Sequence, residues 1–361
     1  MAIQGSEFKL LNKDVKFYKI LNESMNHFNF QYKLGINIDT VPFNPTGNCL
    51  SGGLYFTSLN HIFEYVEYGT LIAEIEIIDD FLIYHEVNKY KTNKFIITNI
   101  MSLSEFINET EEICKLAVQQ NSYTLRYIKN QTDEMCKIAI QQNSFALEYV
   151  INQTDEICRL AIQKNGYALR YIKNKTDEIC KIAVQQNYYA LQFVINQTYE
   201  MYKLAVQRYG HALQFIPNQT DEICKIAIQQ NGLSLEYVIN QTDEICRLAV
   251  QQNGYALKYV KNQTDDICRL AVQQYGLSLK YVKNQTEEIC KLAVQQYGFI
   301  LQYVKNQTEE ICKLAVQQNG MILGYVKNQT DEICKLAVQQ NGMALGYVKN
   351  QTDDICRLAV Q

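Results

Sequence analysis

A threonine recurs at positions 110, 132, 154, 176, 198, 220, 242, 264, 286, 308, 330 and 352, each 22 residues after the last, and most of its neighbours recur with it. From Thr110 to Gln361 the chain is eleven units of 22 residues and a final ten, roughly 70% of its 361 residues. A fold built on such a period has to stack copies of one small unit. The copy 242–263 shows what each unit dictates. Thr242 can cap a helix whose first turn carries Asp243 and Glu244, where acids favour the positive end of the helix dipole. Ile245, Leu248 and Ala249 then share one face. Asn253-Gly254 supplies a break in which the glycine takes a left-handed helix C-cap. A second, shorter helix follows, with Tyr255 and Tyr259 four apart beside Ala256, Leu257 and Val260.

A hairpin this small cannot close a core alone, so its stability has to come from the copies before and after it. The expected fold class is mainly α: an α-solenoid of 22-residue helix-turn-helix repeats over residues 106–361, preceded by a small α+β domain over 1–105. Helices packed ~8–10 Å apart would make the array an elongated rod or superhelix on the order of 100 Å long.

Three side-chain ladders need a chemical reading. Eleven of the twelve cysteines stand at one repeat position, from Cys114 to Cys356, with Tyr202 in the odd copy. Neighbouring rungs one repeat apart exceed the ~7 Å Cα separation of a disulfide, and no histidine travels with them, so buried, reduced, space-filling thiols are expected and no metal. That implies a reducing compartment and sets aside the repeated Asn-Gln-Thr sequons as glycosylation sites. A basic ladder from Lys115 to Arg357 has the look of a phosphate stripe. Acids three and four residues earlier, Glu112 and Glu111 for Lys115, make it a self-neutralised solvated face instead. The Gln251-Gln252-Asn253 ladder reads as surface and turn positions. A net charge of -4 adds no attraction for nucleic acid or an anionic membrane, and no apolar stretch reaches the ~18 residues a membrane-spanning helix needs.

The copy 198–219 departs most from the pattern. Tyr199, Tyr202, Arg208, His211 and Pro217 all replace the usual types, and Tyr199, Arg208, His211 and Pro217 are the candidates for a partner-binding site or a kink. The last segment, Asp353 to Gln361, is a first helix without its second, and its unmatched apolar face implies either a chain cut short relative to a longer protein or an end that docks onto something, a second copy included.

Residues 1 to about 105 lack the repeat. Strands are expected at Val15–Ile20, Phe28–Tyr32, Leu54–Thr57, Leu71–Ile78, Phe81–Glu86 and Lys94–Ile100, turns at Pro42–Asn48, and a helix at Asn60–Tyr68. Ser102–Ile107 reads as a linker or as the first capping helix. The opening Gly5-Ser6-Glu7-Phe8 is equally compatible with a cloning remnant, and no element is assigned to it.

Phe17-Tyr-Lys-Ile20, His27, Phe30-Gln-Tyr-Lys-Leu-Gly35, Pro42-Phe-Asn-Pro-Thr-Gly47 with Cys49, and Gly52-Gly-Leu-Tyr-Phe-Thr57 together resemble the N-terminal module that precedes ankyrin or other helical repeats in giant DNA viruses of the mimivirus group. The Ile-Cys-Lys-Leu-Ala-Val-Gln-Gln-Asn-Gly core resembles short helical repeats of uncharacterised proteins of the same viruses. The resemblance implies a protein-binding repeat array in host cytoplasm or virion. A weaker likeness joins Gly52–Thr57, Ile72–Ile77 and Ile83–Glu86 to ADP-ribosyltransferases, in which a His, a Tyr and a Glu carry NAD binding and transfer. Tyr55 matches the tyrosine and Glu86 the glutamate. Tyr18-Lys19 stands where that family has His-Gly, and His27 lies outside the position.

Phosphate-binding loops, serine-nucleophile elbows and zinc-binding helices are absent from the sequence, and four histidines, His27, His61, His85 and His211, leave little for acid–base work. The leading expectation is a non-enzymatic protein–protein interaction scaffold of a giant virus with no cofactor. The alternatives are an ADP-ribosyltransferase-like domain using NAD, carried on a solenoid targeting arm, and a self-assembling virion structural protein.

Overall fold

The computed structural model describes residues 2–27, 30–46 and 50–360. The chain divides into two compact units, Met1–Ala183 and Val184–Gln361.

The first unit opens with a sheet domain. Its elements are β1 (Ile3–Gln4), α1 (Gly5–Leu11), β2 (Phe17–Leu21), β3 (Asn26–His27), β4 (Phe30–Gln31), β5 (Gly35–Ile38), β6 (Leu54–Ser58), β7 (Leu71–Glu76), β8 (Leu82–His85), β9 (Tyr90–Thr92) and β10 (Lys94–Ser102). Eight strands pair in the order β1-β8-β9-β6-β2-β7-β10-β5, while β3 and β4 form a separate hairpin. Every pairing is antiparallel. Strand β2 is buried along its whole length, as a strand flanked on both sides must be. Phe8, Phe17, Leu21, Tyr32, Phe56, Phe81, Ile83 and Phe95 pack into one core.

The expected strands are present with shifted ends, and the short elements β1, α1, β3, β5 and β9 add to them. Gly5–Leu11 is a helix whose Phe8 is buried in the core, so the opening residues belong to the fold. Gly35-Ile-Asn-Ile38 and Tyr90-Lys-Thr92 form β5 and β9, strands too short for an alternating pattern to show in the sequence. Phe28, Asn29 and the Gly47-Asn48-Cys49 stretch lie outside the described residues. Ile62–Tyr68 is a 3-10 helix. Helix α2 (Leu103–Ile107) begins on a capping box in which Ser102 and Glu105 satisfy each other's backbone N–H, and it buries Leu103, Phe106 and Ile107.

From Thr110 on, the twelve threonines do what their spacing predicts: each hydroxyl accepts from the backbone N–H three residues later, at 3.2–3.4 Å. Each such cap stabilises its helix by ~1 kcal/mol. The full helices that follow are ten residues long, as at Asp243–Gln252. The second element of each copy is a six-residue 3-10 helix, as at Gly254–Tyr259, and not a short α-helix. Asn253 is the hinge: its backbone is extended, and its side chain accepts from Tyr255 N at 3.0 Å.

The glycine expectation is corrected. Gly254 does not adopt a positive φ. It is buried because a Cβ there would lie 2.6 Å from the carbonyl oxygen of Ala271 on the next copy's helix, so it serves close approach between copies.

Polar side chains tie the copies together. In the first unit, Gln131 donates to Leu125 O at 3.0 Å and Tyr149 O at 2.8 Å, and its oxygen accepts from Ile151 N at 2.9 Å. In the second, Gln263 does the same with Leu257 O, Tyr281 O and Lys283 N. A second glutamine, Gln296, donates to Val272 O and Gln273 O and accepts from Gly276 N. Gln120, at the same repeat position, instead bonds Phe63 N and Leu59 O, fastening the first copy to the sheet domain. The glutamine ladders are therefore inter-copy staples, a role the surface-and-turn reading missed.

Candidate functional site

The basic ladder is neutralised by acids, as its spacing predicts. Arg247 pairs with Asp243 at 2.6 Å within its helix and with Asp266 of the next copy at 3.1 Å. Lys291 and Lys313 repeat this with Glu287 and Glu310, and with Glu309 and Glu332. In the first unit Lys115 pairs with Glu111 and Glu134. The acid four residues back is thus used as expected, and the second acid of a copy serves the base of the copy before, 19 residues away. The face is neutral for a reason that helix spacing alone does not show. The cysteines described are free, and all but Cys356 are buried. Burial pushes the thiols of Cys136, Cys224, Cys268 and Cys290 up to about 11, so they stay protonated and inert at neutral pH. Among the described residues no group of His, Cys, Asp and Glu could hold a metal ion, and no helix is long and apolar enough to cross a membrane.

Most aromatic residues of the 3-10 segments are half-buried, while Tyr189 and those from Phe299 on are exposed. Their rings meet edge-on from copy to copy with a spacing of 26 residues: Tyr123 with Tyr149 and Phe145 with Tyr171 in the first unit, Tyr255 with Tyr281 and Phe299 with Tyr325 in the second. Tyr297, Phe299, Tyr303, Tyr325 and Tyr347 are all substantially exposed, Tyr297 by 59%.

The four candidates of the odd copy do not converge. Tyr199 is exposed at a helix start, its hydroxyl pKa raised by a hydrogen bond to Glu222. Arg208 donates to Gln185 O at 2.8 Å, His211 lies 3.4 Å from the Asn231 amide and edge-on to Tyr237, and Pro217 is exposed in a turn. Pro217 also removes a staple: Gln197 donates to Leu191 O, but proline has no N–H to return to its carbonyl oxygen.

The sheet domain holds a cavity of about 390 Å³. Strand β2 contributes Tyr18, Lys19 and Ile20, β6 contributes Leu54–Thr57, and His27, Phe30, Tyr32, Tyr65 and Tyr68 complete an aromatic wall. The turn before β6 needs its glycines: Gly52 and Gly53 have φ of +83° and +150°, and a Cβ on Gly53 would run into the Lys91 side chain. Asp39 fixes this turn by accepting from Gly53 N at 2.5 Å.

Tyr55 and His27, two residues singled out in the sequence, share this cavity. Glu86 is not on its wall; its carboxylate sits 3.4 Å from Lys89, which is. The ammonium groups of Lys89 and Lys91 lie 4.7 and 5.4 Å from the Tyr55 ring centre. Burial, then the charge of Lys19, lowers the His27 pKa, which keeps its imidazole neutral.

The residue that sequence reading missed is Lys19. It is 6% exposed, its Nζ donates to Tyr55 O at 2.9 Å and lies 4.8 Å from the Tyr32 ring centre. Burial first, and the charge of Lys89 second, push its pKa down to about 7. The available signal was a lone lysine inside the otherwise apolar Phe17-Tyr-Lys-Ile-Leu21.

The chain is 39% identical over 61 residues to R868 of Acanthamoeba polyphaga mimivirus, a protein named for ankyrin repeats, which is 16% of this chain and 30% of that protein. R229 of the same virus, also named for ankyrin repeats, is 26% identical over 126 residues, 30% of this chain and 41% of the other. The uncharacterised mimivirus protein R869 is 39% identical over 61 residues, 16% of this chain and 44% of its own length. The chain thus spans less than half the length of these relatives. The kinship with mimivirus-group proteins expected from the sequence is what these similarities show, although the 22-residue period here differs from the ~33 residues of an ankyrin repeat. A family model described as a domain of unknown function (DUF4116) matches residues 154–197, 198–242, 242–286, 264–308, 286–330 and 308–352. Those matches run unbroken over more than half of the chain, which therefore belongs to the DUF4116 family of helical-repeat proteins.

Proposed function

We propose that the repeat array is a protein-interaction scaffold whose binding face is the exposed aromatic ladder of the 3-10 segments. The observation that carries this is the contrast between faces. The basic, acidic and glutamine ladders are spent on bonds between copies, whereas Phe299, Tyr303, Tyr325 and Tyr347 offer large amphipathic rings to solvent. Such residues dominate binding energy at protein interfaces because they bury much area for little lost rotamer freedom. Partners are proteins of host cytoplasm or virion, where thiols stay reduced. A photo-crosslinking residue placed at 299 or 325, compared with one at Gln295 on the helix, tests the face. Discrete adducts in infected-cell extract from 299 and 325 but not from 295 support it; equal patterns from both faces overturn it.

A second reading is favoured by the meeting of Tyr55 and His27 on one cavity wall: the sheet domain binds NAD, on the pattern of the ADP-ribosyltransferase likeness. Calorimetric titration of the full chain with NAD, against a Tyr55→Ala control, decides it. Saturable, tyrosine-dependent heat supports NAD binding, and no heat at millimolar NAD removes it.

A further inference from the structure

We propose that Lys19 is a reactive amine that captures a small aromatic aldehyde in the sheet-domain cavity as an imine. This depends neither on the aromatic face of the repeats nor on NAD.

Three observations carry it. The amine is built into the wall of a cavity of about 390 Å³, large enough for one small planar molecule. That wall is made of rings, Phe30, Tyr32, Tyr55, Tyr65 and Tyr68, against which an aromatic aldehyde can stack. The Nζ is held in place by the Tyr55 carbonyl, and no carboxylate forms an ion pair with it among the described residues. Asp39, the carboxylate on the same wall, is engaged by Gly53 N and Val41 N. A lysine buried as a mere packing residue is usually paired with an acid, which keeps it charged and unreactive. Here desolvation and Lys89 leave a large neutral fraction at neutral pH, the state in which an amine is a nucleophile.

The chemistry closes without a co-reactant. The Nζ lone pair adds to the carbonyl carbon and the carbonyl π pair moves to oxygen. A proton passes from nitrogen to that oxygen to give the carbinolamine. Loss of the hydroxyl as water, with the remaining N–H proton, forms the C=N bond. His27, kept neutral on the same wall, is the group suited to carry the proton between nitrogen and oxygen.

The test is competitive labelling of the full-length protein at pH 7 with pyridine-4-carboxaldehyde and cyanoborohydride, which reduces the imine to a stable amine. Site occupancy is followed over time by peptide mass spectrometry. Lys19 should label on the order of tenfold or more faster than the solvent-facing Lys261 and Lys283. The preference should vanish when the protein is unfolded in urea. A lysine that is only structural would label more slowly than Lys261 in the folded protein and equally in urea, and that outcome overturns the proposal. Butanal labelling Lys19 as fast as the pyridine aldehyde would overturn the aromatic part of it.

Discussion

In the copies from Thr220 onward a glutamine such as Gln263 binds three backbone groups across two copies, and the repeat bases from Lys225 to Lys335 each pair with an acid of their own helix or of the next. In the sheet domain, by contrast, Lys19 is held by one carbonyl and faces a cavity. The array spends polarity on holding copies together and the sheet domain holds some in reserve. Energetically the array should be a sum of nearest-neighbour terms, whereas the sheet domain, whose β2 pairs with β6 and β7 from far along the chain, should unfold as one.

The largest test of that contrast is a core truncation in the array. Leu257 is fully buried, and Leu257→Ala should cost ~2–5 kcal/mol. Hydrogen exchange should quicken in the copies around 242–285 and leave β7 and β10 of the sheet domain protected. Loss of protection in those strands as well would end the nearest-neighbour picture.

Lys19 tests the other side. Its folded pKa of about 7 lies below its ordinary 10.5, so between those values the unfolded chain binds more protons and stability rises with pH. Below pH 7 both states are protonated and the whole burial penalty is felt. Lys19→Met removes this dependence. The wild type should gain ~3 kcal/mol on Lys19→Met between pH 7 and pH 10, read by urea unfolding followed on the Ile83 and Ile97 methyl resonances. A difference independent of pH would mean that Lys19 keeps its charge in the fold.

How much of this was legible in the sequence follows the same division. The array could be read because a period converts one guess into twelve: threonine caps, buried thiols and i, i+4 acid–base pairs are all local. The staples escaped because they link positions 18 to 24 residues apart, where helix spacing says nothing, and Gly254 was misread because its reason lies on Ala271 of the next copy. In the sheet domain Tyr55 and His27, named from the sequence, line one cavity, while Glu86 lies off its wall beside Lys89. Lys19 looked like a defect in a family pattern, since burial by Tyr32 and β6 is a long-range fact.

A staple removed from a regular joint gives a smaller effect. Gln263→Ala strips a partner from Leu257 O, which keeps its bond from Val260 N, and from Tyr281 O and Lys283 N, which lie at half-buried and exposed residues, so the cost should be ~1 kcal/mol. A loss as large as that of Leu257→Ala would show that polar stapling, not apolar stacking, dominates the joint.

The smallest effect runs the other way and uses the array's own defect. At Pro217 the ring removes the N–H that regular copies return to the preceding glutamine, and Gln197 keeps its bond to Leu191 O alone. Residue 217 takes the place of Lys261 and Lys283 in their copies, although Ile216 before it has φ of -106° where Val260 has -69°, so Pro217→Lys should restore a bond to the Gln197 oxygen after a small shift of that turn. One hydrogen bond is worth ~0.5–1.5 kcal/mol, and loss of the ring's restraint on the unfolded chain takes back ~0.4–1 kcal/mol, so the net gain is a few tenths. The amide of residue 217 should become protected from exchange although the midpoint of unfolding barely moves. An unprotected amide there would mean that the altered turn at Ile216, and not the missing donor alone, sets this joint apart from the regular ones.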